Sequence, residues 1–118
     1  QVIALSDTVG AADERIIKSV FDTIIPEVGG VEFGAHLHLN VVDGMNKISA
    51  AIDAGCRRFD GAIRGIGGCP FAQDALVGNA PTERMIELFE NLGLWDVKNK
   101  RAWSHAQSLS AEIFSDKK

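Results

Sequence analysis

The sequence predicts an α/β fold built on parallel strands, and three observations carry that prediction. Short apolar runs alternate with stretches of helical periodicity in the order strand, helix, strand, helix, strand, helix. The residue types able to do chemistry follow the apolar runs: Asp7 ends the first, His36, His38 and Asn40 end the second, and Asp60 and Cys69 follow the third. The composition, 46% hydrophobic and 24% charged, is that of a globular chain. Its 118 residues suffice for one small domain. Three βα units fit either an open doubly wound sheet or a segment of a (β/α)8 barrel. A complete barrel takes roughly 250 residues, so the chain can hold only part of one.

Composition excludes several classes. Disorder and collagen-like structure do not fit, and no apolar run approaches the ~20 residues of a membrane helix. No basic stretch followed by an apolar core and cleavage site stands at the start. Twelve Lys plus Arg against sixteen Asp plus Glu give a net charge of −4, without a clustered basic face. Neither nucleic acid nor membrane is therefore expected as a partner. Cys56 and Cys69 do not make a disulfide framework, so a cytoplasmic location is the expectation. Residue 1 is Gln and a strand-like run begins at once, so the chain is expected to be a piece of a longer protein.

Val2–Leu5 reads as a buried strand running into the loop Ser6–Gly10. Asp13 and Glu14 open a helix, where carboxylates favour the positive end of the dipole. Ile16, Ile17, Val20 and Ile24 recur along it, and Pro26 with Gly29 and Gly30 ends it. A second strand follows over Phe33–Asn40, then a helix over Asn46–Ala54 with Gly55 as its stop. Arg57–Ala62 reads as a third strand, followed by the Gly-rich loop Arg64–Phe71. Pro81, Thr82 and Glu83 open a third helix with Met85, Ile86, Leu88, Phe89 and Leu92 as its stripe and Gly93 as its end. The tail, Val97–Phe114, is expected to form one or two helices with Trp103, Leu109 and Ile113 facing inward. Residues 1–93 thus form βα units, and 94–118 a C-terminal helical extension.

In parallel α/β folds the C-terminal rim of the strands is where chemistry is done. His36, His38 and Asn40, two apart on a strand, share one face, while Ala35, Leu37 and Leu39 share the other. Two imidazoles so placed are either half of a metal site or two rim histidines that form hydrogen bonds. Cys69, in Gly-Gly-Cys-Pro, is either a thiol nucleophile or proton donor on a mobile loop, or a small apolar filler. Cys56 reads as filler. Asn79 reads first as a turn or helix-capping residue. Asp7 is either a capping residue or a site carboxylate. One of Arg57 and Arg58 is expected to face the interior and pair with Asp60. His105 reads as a surface residue, and Met45 and Met85 as packing.

These residues together resemble a known family. Leu5-Ser6-Asp7-Thr8-Val9-Gly10, Gly34-Ala35-His36-Leu37-His38, Ala54–Gly61, Gly67–Ala72 and Gly78–Glu83 stand in the order found in the C-terminal part of hydroxymethylglutaryl-CoA lyases. His-x-His alone is shared with isopropylmalate and homocitrate synthases. The Gly-Gly-Cys-Pro loop followed by Gly-Asn-x-x-Thr-Glu is far more specific to the lyase.

The resemblance implies an α/β fold that is the C-terminal portion, about three βα units, of a (β/α)8 TIM barrel. It implies His36 and His38 as imidazole ligands and Asn79 as an amide-oxygen ligand of Mg2+ or Mn2+. It implies Cys69 as the catalytic thiol, with Asp7 and Thr8 lining the substrate pocket. The implied activity is cleavage of 3-hydroxy-3-methylglutaryl-CoA to acetyl-CoA and acetoacetate, a step of leucine degradation. The implied partners are an acyl-CoA substrate and the missing N-terminal half of the barrel, in the same chain or another, with homo-oligomers open. A Claisen-condensing synthase and a non-catalytic metal-binding module are the alternatives. Two departures stand out. The family's Arg-Asp pair on the first barrel strand has no match, and Leu39 stands where many members have Asp. The chain alone is therefore expected to bind metal weakly and to be nearly inactive.

Overall fold

Strand β1 (Val2–Asp7) lies parallel to β2 (Glu32–Asn40), with six residue pairs from Val2↔Glu32 to Asp7↔Leu37. The computed structural model describes residues 1–40, 42, 44–68 and 77–115. Strand β3 (Arg58–Phe59) lies parallel to β2 on the path β1-β2-β3, so strands adjacent in sequence are adjacent in space. Helices α1 (Glu14–Glu27) and α2 (Met45–Asp53) make the two crossovers and pack on each other. A short turn of 3-10 helix (Ile63–Gly65), strand β4 (Val77–Asn79), α3 (Thr82–Asn91) and α4 (Lys100–Ile113) complete the order.

The helices begin and end where local chemistry dictates. Asp13 caps α1, its carboxylate accepting the Ile16 amide at 2.8 Å. The helix runs one residue past Pro26. Helices α2 and α3 end in the same motif. Gly55 and Gly93 take φ of +100° and +70°, their amides reach Ile52 O and Glu90 O, and the next amides reach Ala51 O and Phe89 O. Only a residue without Cβ takes that left-handed turn cheaply.

The core forms on one face of β2. Phe33, Ala35, Leu37 and Leu39 are buried in a cluster with Ile17 and Phe21 of α1 and Ile48, Ala51 and Ile52 of α2. Burying each large side chain contributes about 1.5–3 kcal/mol, which outweighs propensity in fixing the register.

Four expectations are corrected. The first strand is not buried, with Val2 and Ile3 44% and 42% exposed, because β1 is at the edge of the sheet path. The third strand is two residues long rather than spanning 57–62. Beyond Asp60, whose amide still reaches Ala35 O, the chain leaves β2, and Ala62 bridges to Pro81 while its amide reaches Ala80 O. The strand β4 was not expected. It pairs antiparallel with the end of β2, and its Gly78 carries no strand propensity, so tertiary context makes it a strand. In the tail, Leu109 and Ile113 are 45% and 70% exposed instead of inward. One helix cannot turn them and Trp103 the same way. The partly buried stripe is Trp103, Ala106, Gln107, Ser110 and Phe114, and Leu109 and Ile113 each lie one residue out of its phase.

The ranking of three substitutions tests this packing. Ile48→Ala should cost about 2–5 kcal/mol by leaving a core cavity. Gly93→Ala, with no atom near its added Cβ, should cost about 1–2 kcal/mol from its backbone conformation alone. Leu109→Ala should stay within about 0.5 kcal/mol. Urea denaturation followed by circular dichroism reads all three, and a large loss at Leu109 would contradict the observed phase of α4.

Candidate functional site

The alternation that buries the odd residues of β2 turns Gly34, His36, His38 and Asn40 to the other face. The two imidazole centres stand 5.5 Å apart with their planes at 40°. They differ in setting. His36 is partly exposed, and its Nδ1 lies 3.1 Å from Oδ2 of Asp60. His38 is 7% exposed, and its Nδ1 is buried with no hydrogen-bond partner among the described residues. Register accounts for Asp60: Ala35 pairs with Phe59, so the next residue of each strand falls side by side on one face. The expected pairing of Asp60 with an arginine is corrected. Arg57 Nη1 donates to Ile52 O and Cys56 O at the end of α2, and Arg58 Nη1 lies 4.0 Å from Glu32. Asp60 follows Phe59 as His36 follows Ala35, a signal that becomes usable only once the pairing of the two strands is known.

Asn79 reaches the same place from β4, where it pairs directly with His38. Its Nδ2 donates to Ile66 O at 2.8 Å, and its backbone amide donates to Gly67 O at 3.0 Å. Only the NH2 of an amide can donate to a carbonyl, so this bond leaves the side-chain oxygen unspent. The Gly-rich segment before Cys69 is thus held to the residue that pairs with His38. The fit is close. A Cβ on Gly78 would stand 2.7 Å from Gly65 O and 3.0 Å from Gly67 O. Cys69 itself lies outside the described residues.

Asp7 organises the loop after β1. Its Oδ1 accepts the amides of Val9, Gly10 and Ala11 at 3.0–3.3 Å, and its Oδ2 that of Ala12 at 2.8 Å. Partial burial pushes its pKa up, but the four amide bonds together outweigh that and hold it below the usual value. Its partner in register is Leu37, whereas Ser6 pairs with His36, so Asp7 belongs to the face away from the imidazoles. Thr8 is exposed just beyond it. The structure therefore brings His36, His38 and Asn79 together and does not bring Asp7 to them. Lys47, not singled out from sequence, ties α2 to this loop by donating to Gly10 O at 3.1 Å. Cys56 is buried, with its Sγ donating to Arg58 O at 3.3 Å, and burial pushes the thiol pKa up.

Two imidazole nitrogens and an amide oxygen are a mixed N/O donor set of the kind that holds a divalent cation with positions left open. The orphaned buried Nδ1 of His38 fits such a role, because a polar atom there costs free energy until something takes its lone pair or proton. Among the described residues no group of three His, Cys, Asp or Glu side chains accompanies them. The donors present fit a cation in kind and are few in number.

Two outcomes follow from this geometry. Because the folded-state carboxyl of Asp7 is the more acidic, its stabilisation is fully present above the unfolded carboxylate range of about 3.9 and is lost as pH falls through the lower folded value. The stability gap between the native chain and Asp7→Asn, read by urea titration, should be largest near neutrality and shrink below about pH 4. A gap that widens in acid would refute it. Gly78→Ala should free the Gly-rich segment, since backbone carbonyls block its Cβ. Faster exchange of the Asn79 amide, the donor to Gly67 O, with α1 and α2 unchanged, is the expected reading.

A family model described as HMGL-like matches residues 1–111. The chain is 40% identical over 92 residues to the (R)-citramalyl-CoA lyase of Chloroflexus aurantiacus, which covers 78% of this chain and 29% of that protein. It is 32% identical over 92 residues to the human mitochondrial hydroxymethylglutaryl-CoA lyase, covering 78% and 28%. Among solved structures, the HMG-CoA lyase of Bacillus subtilis superposes with a TM-score of 0.77 at 28% identity, covering 93% of this chain and 37% of that one. The chain thus spans about a third of the length of the proteins it matches. Its α/β fold with a parallel sheet is a portion of the (β/α)8 barrel of those lyases. With nearly its whole length inside that model and its strands laid out as in those barrels, the chain belongs to the HMGL-like family.

Proposed function

We propose that this chain is the C-terminal portion of a carbon–carbon lyase that cleaves 3-hydroxy-3-methylglutaryl-CoA into acetyl-CoA and acetoacetate. The observation that supports this reading best is the meeting of His36, His38 and Asn79 at the end of β2, beside the base of the Gly-Gly-Cys-Pro loop. His36, His38 and the Asn79 oxygen would hold the divalent cation, Mg2+ or Mn2+, on which the family generally depends. When bound, such a cation supplies Lewis acidity toward the substrate's tertiary hydroxyl and carbonyl oxygens.

The chain's own residues account for the rest. Asn79 holds Ile66 O and Gly67 O, so the position of the described loop base and the placement of the amide oxygen are coupled. Cys69 would give its thiol proton to the CH2 carbon of the departing acetyl-CoA enolate, which thereby becomes the methyl group. Loop closure over the site would exclude water at that moment. The Asp7 carboxylate shapes the loop carrying Thr8, through which the chain would meet the acyl-CoA. The remaining barrel strands, from the same chain or another, would supply the further acidic ligand and the cation for developing negative charge.

A second substrate has specific support in the 40% identity to a citramalyl-CoA lyase. Cleaving the equivalent bond there releases pyruvate, because a carboxylate replaces the carboxymethyl group on the tertiary carbon. Offering both thioesters with Mn2+ separates the readings by product, acetoacetate or pyruvate. Condensation of acetyl-CoA with a 2-oxo acid would instead indicate a synthase, and metal binding without either reaction a non-catalytic module. We expect the 118-residue chain alone to stay near background. A longer protein supplying the other strands should turn over. In it, His38→Ala should lower kcat on the order of 100-fold or more, as expected for losing several kcal/mol of charge stabilisation. Robust acetoacetate release by the short chain would show that it needs no other strands.

A further inference from the structure

We infer that Asp60 is a positioning residue for His36: its carboxylate accepts the proton of Nδ1, fixes the imidazole in the Nδ1–H tautomer and leaves Nε2 as the nitrogen with the lone pair. The inference rests on the metal-lyase reading for its purpose, but its geometry stands by itself. Oδ2 of Asp60 lies 3.1 Å from Nδ1 of His36. A carboxylate only accepts, so at neutral imidazole this contact puts the proton on Nδ1. The backbone of Asp60 is itself held, its amide reaching Ala35 O at 3.0 Å, immediately before His36. Both arginines next to β3 are engaged elsewhere, with Ile52 O, Cys56 O and Glu32, so the carboxylate is directed to the ring by register and not shared with those cations.

The contrast between the two histidines gives the contact its meaning. His38 is buried where β4 pairs with β2, so packing holds its ring. His36 is partly exposed, so packing does not stop its ring from rotating or exchanging tautomers. An imidazole ligand whose other nitrogen donates to a carboxylate has its ring direction and basicity set by that bond. Asp60 would supply for His36 what burial supplies for His38. An exposed ion pair without this role would leave the tautomer to solvent, where Nε2–H is preferred.

The test needs no turnover. In the uniformly 15N-labelled 118-residue chain with chelator at about pH 8, above the ordinary imidazole range, long-range 1H–15N correlation spectra assign each tautomer. We expect His36 as Nδ1–H in the native chain and in Asp60→Glu, and a shift toward Nε2–H in Asp60→Ala. The His38 resonances should stay fixed as the control for an intact β2. Titration with Mn2+ alone should show binding weakened about 10–100-fold in Asp60→Ala, with partial recovery in Asp60→Glu. Finding His36 as Nε2–H in the native chain, which requires no variant to fold, overturns the inference. So does an unchanged tautomer and an unchanged Mn2+ affinity in Asp60→Ala. If the native chain binds no Mn2+ while the tautomer responds as expected, the Asp60–His36 assignment survives, and the metal-lyase reading fails only if the longer protein, with its other strands, also binds none.

Discussion

Everything at this site depends on the register of β2. Its residues meet β1 over six pairs, β3 over two and β4 over three, and among the described residues no other strand touches all the rest. A slip of one residue would exchange its faces, sending Phe33, Leu37 and Leu39 to the open side and His36 and His38 into the hydrocarbon layer. Each large apolar side chain contributes about 1.5–3 kcal/mol when buried, and a slip would also bury the partly exposed His36 away from Asp60, which costs free energy. The two penalties act together, so the core fixes the chemistry-bearing face without any residue of that face having to stabilise the fold.

Strand β4 adds the second half of the arrangement. Up to Leu37 the β2 ladder follows the parallel rule of its fold, and from His38 to Asn40 it is taken over by a short antiparallel partner. That change places Asn79 opposite His38 and leaves the Asn79 amides facing the Gly-rich segment, which they bind at Ile66 and Gly67. Three glycines make this possible by different means. Gly65 and Gly67 take φ of +67° and +96°, while Gly78 lets the segment's carbonyls approach within a distance that a Cβ would forbid. The segment and the amide ligand candidate are therefore one packed unit.

The parts legible in the sequence were those governed by period and by end signals. The alternation in Phe33–Asn40 assigns each residue of β2 to its correct face, and Asp13, Gly55 and Gly93 mark helix ends because capping is a local matter. What the sequence did not reveal was governed by contacts distant in the chain. Strand β4 has three residues, one of them glycine, and exists because β2 offers it an edge. Asp60 is assigned to an arginine by proximity in sequence and to His36 by register, and register is a property of two strands. Asp7 shows the ambiguity of a carboxylate at a strand end. The same position serves a loop or a pocket, and only the four amides around it decide which it serves here. The tail failed on phase: Trp103, Leu109 and Ile113 are all apolar, but no single helix presents them together.

The division of exposure across the sheet fits a site that is shared with other strands. The two imidazoles sit on the central strand, while the flanking strands carry the exposed margin. Val2 and Ile3 of β1 are more than two-fifths exposed, and β1 and β3 each pair with β2 alone on the sheet path among the described residues. Such edges invite pairing. On the face of the imidazoles, Ala4 and Ser6 are exposed beside them, whereas the opposite face is sealed by α1 and α2. Further barrel strands would thus extend the sheet at its margins and enclose the imidazole face without disturbing β2. The central strand already holds His36 and His38 in place, so added strands would meet a face that the core has set.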